Sequence, residues 1–167
     1  MKKIILASDG LHFPEAAFQF ASTLHDKNPI LLTGVFLPQI SYANVWSYAN
    51  GMGAPVFVPT LGESETETIE RNIEHFEHKC STIQMDYAVR KDFTDLALPE
   101  LQKESRFADL MIIGSQAFYE DMGMSSAESY MKDALHHAEC PIIVVPDKTN
   151  FPSSIILAYD GTEDNLF

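Results

Sequence analysis

The chain has 167 residues, 46% of them hydrophobic, enough to bury one sizeable core in a domain of ordinary size. Eleven Lys and Arg stand against 24 Asp and Glu, a formal charge of −13, which is the wrong field for nucleic acid or an anionic lipid surface. No apolar run approaches the roughly 18 residues that a membrane span needs, and the N-terminus enters an apolar strand at once instead of a signal-peptide core, so a cytoplasmic location with no nucleic-acid or membrane partner is expected.

In chain order, Lys3 to Ser8 is a near-continuous apolar run, as expected of a strand covered on both faces. It ends in Asp9-Gly10, where Asp9 either contacts a ligand or caps the following turn through its side-chain oxygens. After Pro14, which suits a first helical turn, Ala17, Phe20, Ala21 and Leu24 repeat at helical spacing. Ile30 to Leu37 is a second covered strand. The long connection from Pro38 to Gly62 carries Tyr42, Trp46, Tyr48, Met52, Phe57 and Val58, and reads as a partner surface or as cover over its own or a second domain. Gly51-Met52-Gly53 follows no strand and is loop chemistry, not a dinucleotide fingerprint.

A second helix is marked by the stripe Ile69, Ile73, Phe76, Cys80 and Ile83, with Glu65, Glu67, Glu70, Arg71, Glu74 and Glu77 elsewhere on its circumference. Met85, Tyr87 and Val89 then alternate with polar neighbours, the period-two pattern of an edge strand with one wetter face. A third helix falls around Asp95 to Arg106, where Pro99 is expected to remove a donor from an interior turn. Asp109 to Ile113 is a covered strand closed by Gly114-Ser115. Ser125 with Glu128 has the form of a capping box, opening a helix through Met131, Ala134, Leu135 and Ala138 towards Pro141 and the strand Ile142 to Val145. Strands alternating with helices imply crossovers and a mostly parallel, doubly wound sheet.

Ile4 to Gly10 recurs as Ile155 to Gly161 with one mismatch in seven positions, so the chain is expected to hold one domain over 1–147, a linker over 148–154, and over 155–167 the first strand of a second, truncated domain. In an open sheet of this kind ligands bind outside the carboxyl ends of the strands where the winding reverses, which brings Asp9 and Gly114 to one crevice if their strands are neighbours. No nucleophile, base and orienting group assemble from the sequence, so no enzyme activity is expected. Cys80 and Cys140 lack CxxC spacing and are expected to be reduced and buried. His75 and His78 lie with Cys80 on one helix, a spacing that cannot close a four-ligand metal site, and are read as solvated.

Met1 to Gly10 (MKKIILASDG), Ala108 to Ser115 (ADLMIIGS) and Ala134 to Pro146 (ALHHAECPIIVVP) resemble the opening strand, fourth strand and closing helix-strand of a universal stress protein domain. With the restart at Ile155 the resemblance is to the tandem form. It implies a five-stranded parallel sheet in order 3-2-1-4-5 with helices on both faces, and self-association through the last strand, Ile142, Ile143, Val144 and Val145. It also implies an adenine-nucleotide site at Asp9, Val35, Gly114, Ser115 and Ser129. The family's phosphate loop, however, is broken here: Ala117 replaces its second glycine, and Glu128-Ser129 stand where Gly-Ser is expected. Glycines there let backbone approach phosphate, and from Phe107 to Met131 there is no Lys or Arg. The expectation is an assembly and signalling module in stress response with no cofactor, binding ATP poorly or not at all; the alternative is an ATP-dependent switch or slow ATPase.

Overall fold

A computed structural model describes residues 1–36, 63–91, 97–114, 138–148 and 151–156. Its elements in chain order are β1 (Lys2–Ser8), α1 (Glu15–Lys27), β2 (Ile30–Phe36), α2 (Glu63–Thr82), β3 (Asp86–Lys91), α3 (Ala97–Ser105), β4 (Leu110–Gly114) and β5 (Ile142–Val145). The strands form one parallel sheet in the order β3-β2-β1-β4-β5, as expected. The aromatic connection of 38–62 and the capping-box helix opening at Ser125 lie outside the described residues.

The pleat sorts the apolar runs into two cores. From β1, Ile4 and Leu6 enter the face covered by α1 and α2, with Leu32, Phe36 and Ile112. Ile5 and Ala7 enter the opposite face with Val35, Met111 and Ile113, against Leu101 of α3 and Cys140. A strand that must feed both faces has no polar positions to spare, which is why β1, β2 and β4 read as unbroken hydrophobic runs. β3 is the edge, with only Ala88 and Val89 half-buried along it. In α2, Ile69, Ile73, Phe76 and Cys80 are buried as their spacing demands.

Pro99 lies within α3, whose described residues begin at Ala97. The far end of α3 is pinned by Ser105, fully buried: its hydroxyl donates to the Gln102 carbonyl (2.7 Å) and accepts from the Glu139 amide (3.0 Å), joining α3 to the approach to β5.

At the same end of the sheet Glu104 meets Lys3 Nζ at 3.0 Å and Arg90 Nε at 3.2 Å. Burial pushes its carboxyl up, but the paired cations outweigh burial and hold it below the ordinary carboxylate value. A depressed folded value gives stability that is present above the unfolded pKa, about 4.3, and is lost as pH falls through the folded one. Glu104→Gln should therefore lose less stability than the parent between pH 7 and pH 3, as read by urea denaturation at the two values.

Thr33, at the centre of β2, is 1% exposed and its Oγ1 has no hydrogen-bond partner among the described residues. A buried hydroxyl without a partner keeps its desolvation cost. Thr33→Val should accordingly raise stability by about 1 kcal/mol, measured by chemical denaturation.

Candidate functional site

The crevice begins where β1 ends. Ser8 Oγ accepts from the Gly10 amide (3.1 Å) and donates to the His12 carbonyl (3.2 Å). Asp9 Oδ1 accepts from the Leu11 and His12 amides at 2.9 and 3.0 Å, and Oδ2 lies 2.9 Å from His12 Nδ1. Both carboxylate oxygens are therefore engaged inside their own loop, which is the capping geometry of the two readings that the sequence left open. Gly10 sits at φ +81°, a conformation that only glycine adopts without strain, and a Cβ there would come 3.1 Å from Ile69 Cγ1. From α2, Asn72 Nδ2 donates to the Gly10 and Leu11 carbonyls at 2.8 and 3.0 Å. The β1–α1 loop is thus closed on itself and latched to α2.

Beside it β1 and β4 are neighbours and the winding direction reverses. A cleft of about 110 Å³ opens there between residues 12–17, Gly114 and Asp147. Gly114 is needed for this approach, because a Cβ would stand 3.2 Å from Pro14 Cβ. No side chain among the described residues caps the first amides of α1, whose N-cap is Pro14. The charges at the cleft are nonetheless acidic: Glu15 and Asp147 line it, with His12 and no Lys or Arg among its described lining residues. Lys79 reaches over from α2, but its ammonium is paired with Glu15 and lies 5.6 and 5.2 Å from the Phe13 and Phe18 ring centres. His75 stands edge-on to Phe13 at 4.6 Å and 4.0 Å from Glu15.

Of the sequence-predicted site residues, Asp9 and Gly114 come together at this end of the sheet. Val35 lies one residue before the end of β2, in register with Ala7, its side chain buried on the α3 face. Ser115 and Ser129 lie outside the described residues. Sequence reasoning missed Asn72, Glu15, His12 and Asp147. Nothing local distinguishes Asn72 from its polar neighbours on α2, since its partners are 61 and 62 residues away.

Both cysteines are buried, as expected. Burial, then Glu77, pushes the Cys80 thiol up to about 12, and burial with Asp109 raises Cys140, so neither is a thiolate at neutral pH. His75 and His78 are exposed. Among the described residues no three His, Cys, Asp or Glu gather as metal ligands, and no helix is long and apolar enough to cross a membrane.

No family model and no curated protein matches the chain. Solved structures do. The universal stress protein UspA from Lactobacillus plantarum superposes with a TM-score of 0.51 at 16% identity, over 86% of this chain and 97% of that one. The universal stress protein from Archaeoglobus fulgidus in complex with dAMP gives 0.50 at 12% identity, over 87% and 98%. By strand order, by the helices on its two faces and by these superpositions, the chain has the fold of the universal stress proteins.

Proposed function

We propose that the chain is a cytoplasmic universal stress protein of tandem type, acting in stress response as an assembly and signalling module rather than an enzyme, with a nucleotide site that holds ATP weakly or not at all. The observation that carries this reading is the charge of the cleft. Glu15 and Asp147 line it, its described lining holds no Lys or Arg, and the neighbouring Asp9 is already satisfied. One phosphate charge about 4 Å from one carboxylate is disfavoured by about 1 kcal/mol in water and about 4 kcal/mol at the effective dielectric of a protein surface. Ala117 and Glu128 add to this in the sequence, where the family's glycines would stand. A nucleoside, without that charge, fits the cleft better than a triphosphate.

The second reading is a nucleotide switch or slow ATPase built on Asp9, Val35, Gly114, Ser115 and Ser129. The uncapped first turn of α1 favours it, as does the dAMP complex of the Archaeoglobus protein on the same fold. A thermal shift with magnesium-ATP beside adenosine separates the two. At 1 mM ATP the proposed module keeps its melting temperature, whereas a site of about 10 μM affinity would gain about 2.7 kcal/mol and several degrees.

For the assembly role, β5 is the open edge of the sheet and Val144 on it is 37% exposed. An apolar edge with no strand beyond it among the described residues is a pairing surface, here Ile142, Ile143, Val144 and Val145 with the same strand of a second universal stress protein domain. Ile155 and Ile156 beyond it are 91% and 94% exposed, a surface that a following unit of the tandem would cover. Light scattering at tens of micromolar should read a dimer for the parent and a monomer for Val144→Lys; a monomeric parent would contradict self-association.

A further inference from the structure

The chain does not leave the domain where β5 ends. Asp147, two residues past β5, lines the cleft, and Lys148 beside it is exposed. Phe151 then returns to α1. Its ring stacks on Phe20 at 4.9 Å and 20°, with Lys27 Nζ 4.0 Å above its centre, and it packs against the α1–α2 core. Phe20 and Lys27 are two helical turns apart and share a face, so one ring can meet both. Beyond Phe151 every described side chain is exposed, and Ile155 and Ile156 lie in no strand. Phe151 is the last point at which the described chain is held.

We infer that Phe151 is a pin: it fastens the chain after β5 to α1 and thereby keeps Asp147 at the cleft, so that a pull on the chain beyond Ile156 and movement of the cleft wall are one event. The length of chain makes the link tight. Four residue steps lead from Asp147 to Phe151 and span at most about 14 Å when fully extended, while Val145 is buried in the sheet on the other side. α1 carries both the pin's seat at Phe20 and Lys27 and, at its first turn, the facing wall of the cleft at Ala16 and Ala17. With the pin seated, a carboxylate stands opposite that first turn. With the pin out, Asp147 is tethered on one side only. Because linkage is reciprocal, whatever occupies the cleft also changes how firmly Phe151 sits. The inference concerns the wall of the cleft and holds whether or not a nucleotide enters it.

Limited trypsin digestion of the full chain tests it at Lys148, with amide hydrogen exchange read at Phe18, whose amide is bonded to the Pro14 carbonyl at 2.9 Å across the first turn of α1. Phe151→Ala should raise the rate of cleavage after Lys148 about tenfold, as loss of a packed aromatic pair does to a local opening. Phe151→Tyr, which keeps the stack, should cleave at the parent rate. Lys27→Ala, at a more exposed contact, should raise it about threefold, and it reads the pin even if the alanine variant at 151 folds poorly. Exchange at Phe18 should quicken in step with cleavage while β1 and β4 stay protected. Cleavage at the parent rate in both Phe151→Ala and Lys27→Ala overturns the pin. Faster cleavage with unchanged exchange at Phe18 overturns its link to the cleft.

Discussion

Phe76→Ala should cost about 3–5 kcal/mol, most of the stability of an ordinary domain, and denaturant titration should place its midpoint far below that of the parent. Phe76 is fully buried at the centre of the larger core. Its ring meets Phe18 of α1 at 6.1 Å, Phe36 of β2 at 5.9 Å and Tyr87 of β3 at 6.0 Å, each edge-on. One side chain of α2 therefore ties a second helix and two strands together. Truncation removes the transfer free energy of the ring and leaves a cavity whose walls, made of strands already locked in register, cannot collapse. Phe76→Leu fills most of that space and should cost less than half as much. Equal costs for the two variants would mean that the ring is not the keystone these contacts make it.

Asp9→Ala should destabilise the protein by about 2 kcal/mol with no ligand present, since it strips two charge-assisted bonds from the Leu11 and His12 amides. Asp9→Asn keeps an acceptor at Oδ1 and should recover part of the loss. The comparison bears on function as well as folding. An acid whose only role is to touch a ligand could be removed without changing the stability of the empty protein. A measured cost in urea, at equal m-value, shows that the carboxylate is occupied by its own loop; no cost would return Asp9 to the ligand.

The parts of this fold that the sequence displays are those set by local pattern. Lys3 to Ser8 and Ile30 to Phe36 read as covered strands because nearly every residue must be apolar when both faces are buried, and that is visible in a bare run of letters; Ile142 to Val145 reads the same way, yet as an edge strand it leaves Val144 exposed. The wet face of β3 is visible for the converse reason. Asp9 is legible only to the level of two alternatives, since an aspartate before glycine serves a cap or a ligand equally well, and its capping bonds follow from where the Leu11 and His12 amides fall in the folded loop.

Asn72, Ser105 and Phe151 are illegible for a different reason. Each acts across a distance along the chain: Asn72 on the loop after β1, Ser105 on the Glu139 amide 34 residues later, and Phe151 on Phe20. Such partners follow from topology, and no spacing rule within one element announces them. The charge of the cleft is of the same kind, because Glu15 and Asp147 face one space only after β1, β4 and β5 have paired.

That charge is the centre of the functional account, and calorimetric titration at 25 °C with magnesium-ATP, beside adenosine, tests it most directly. A cleft of this charge should give no measurable heat with ATP in the parent and an adenosine affinity that exceeds the ATP affinity, and Asp147→Asn, which removes one carboxylate at the cleft, should move the ATP affinity upward. Micromolar ATP binding by the parent, abolished in Asp9→Ala, would contradict it and establish the nucleotide switch in its place.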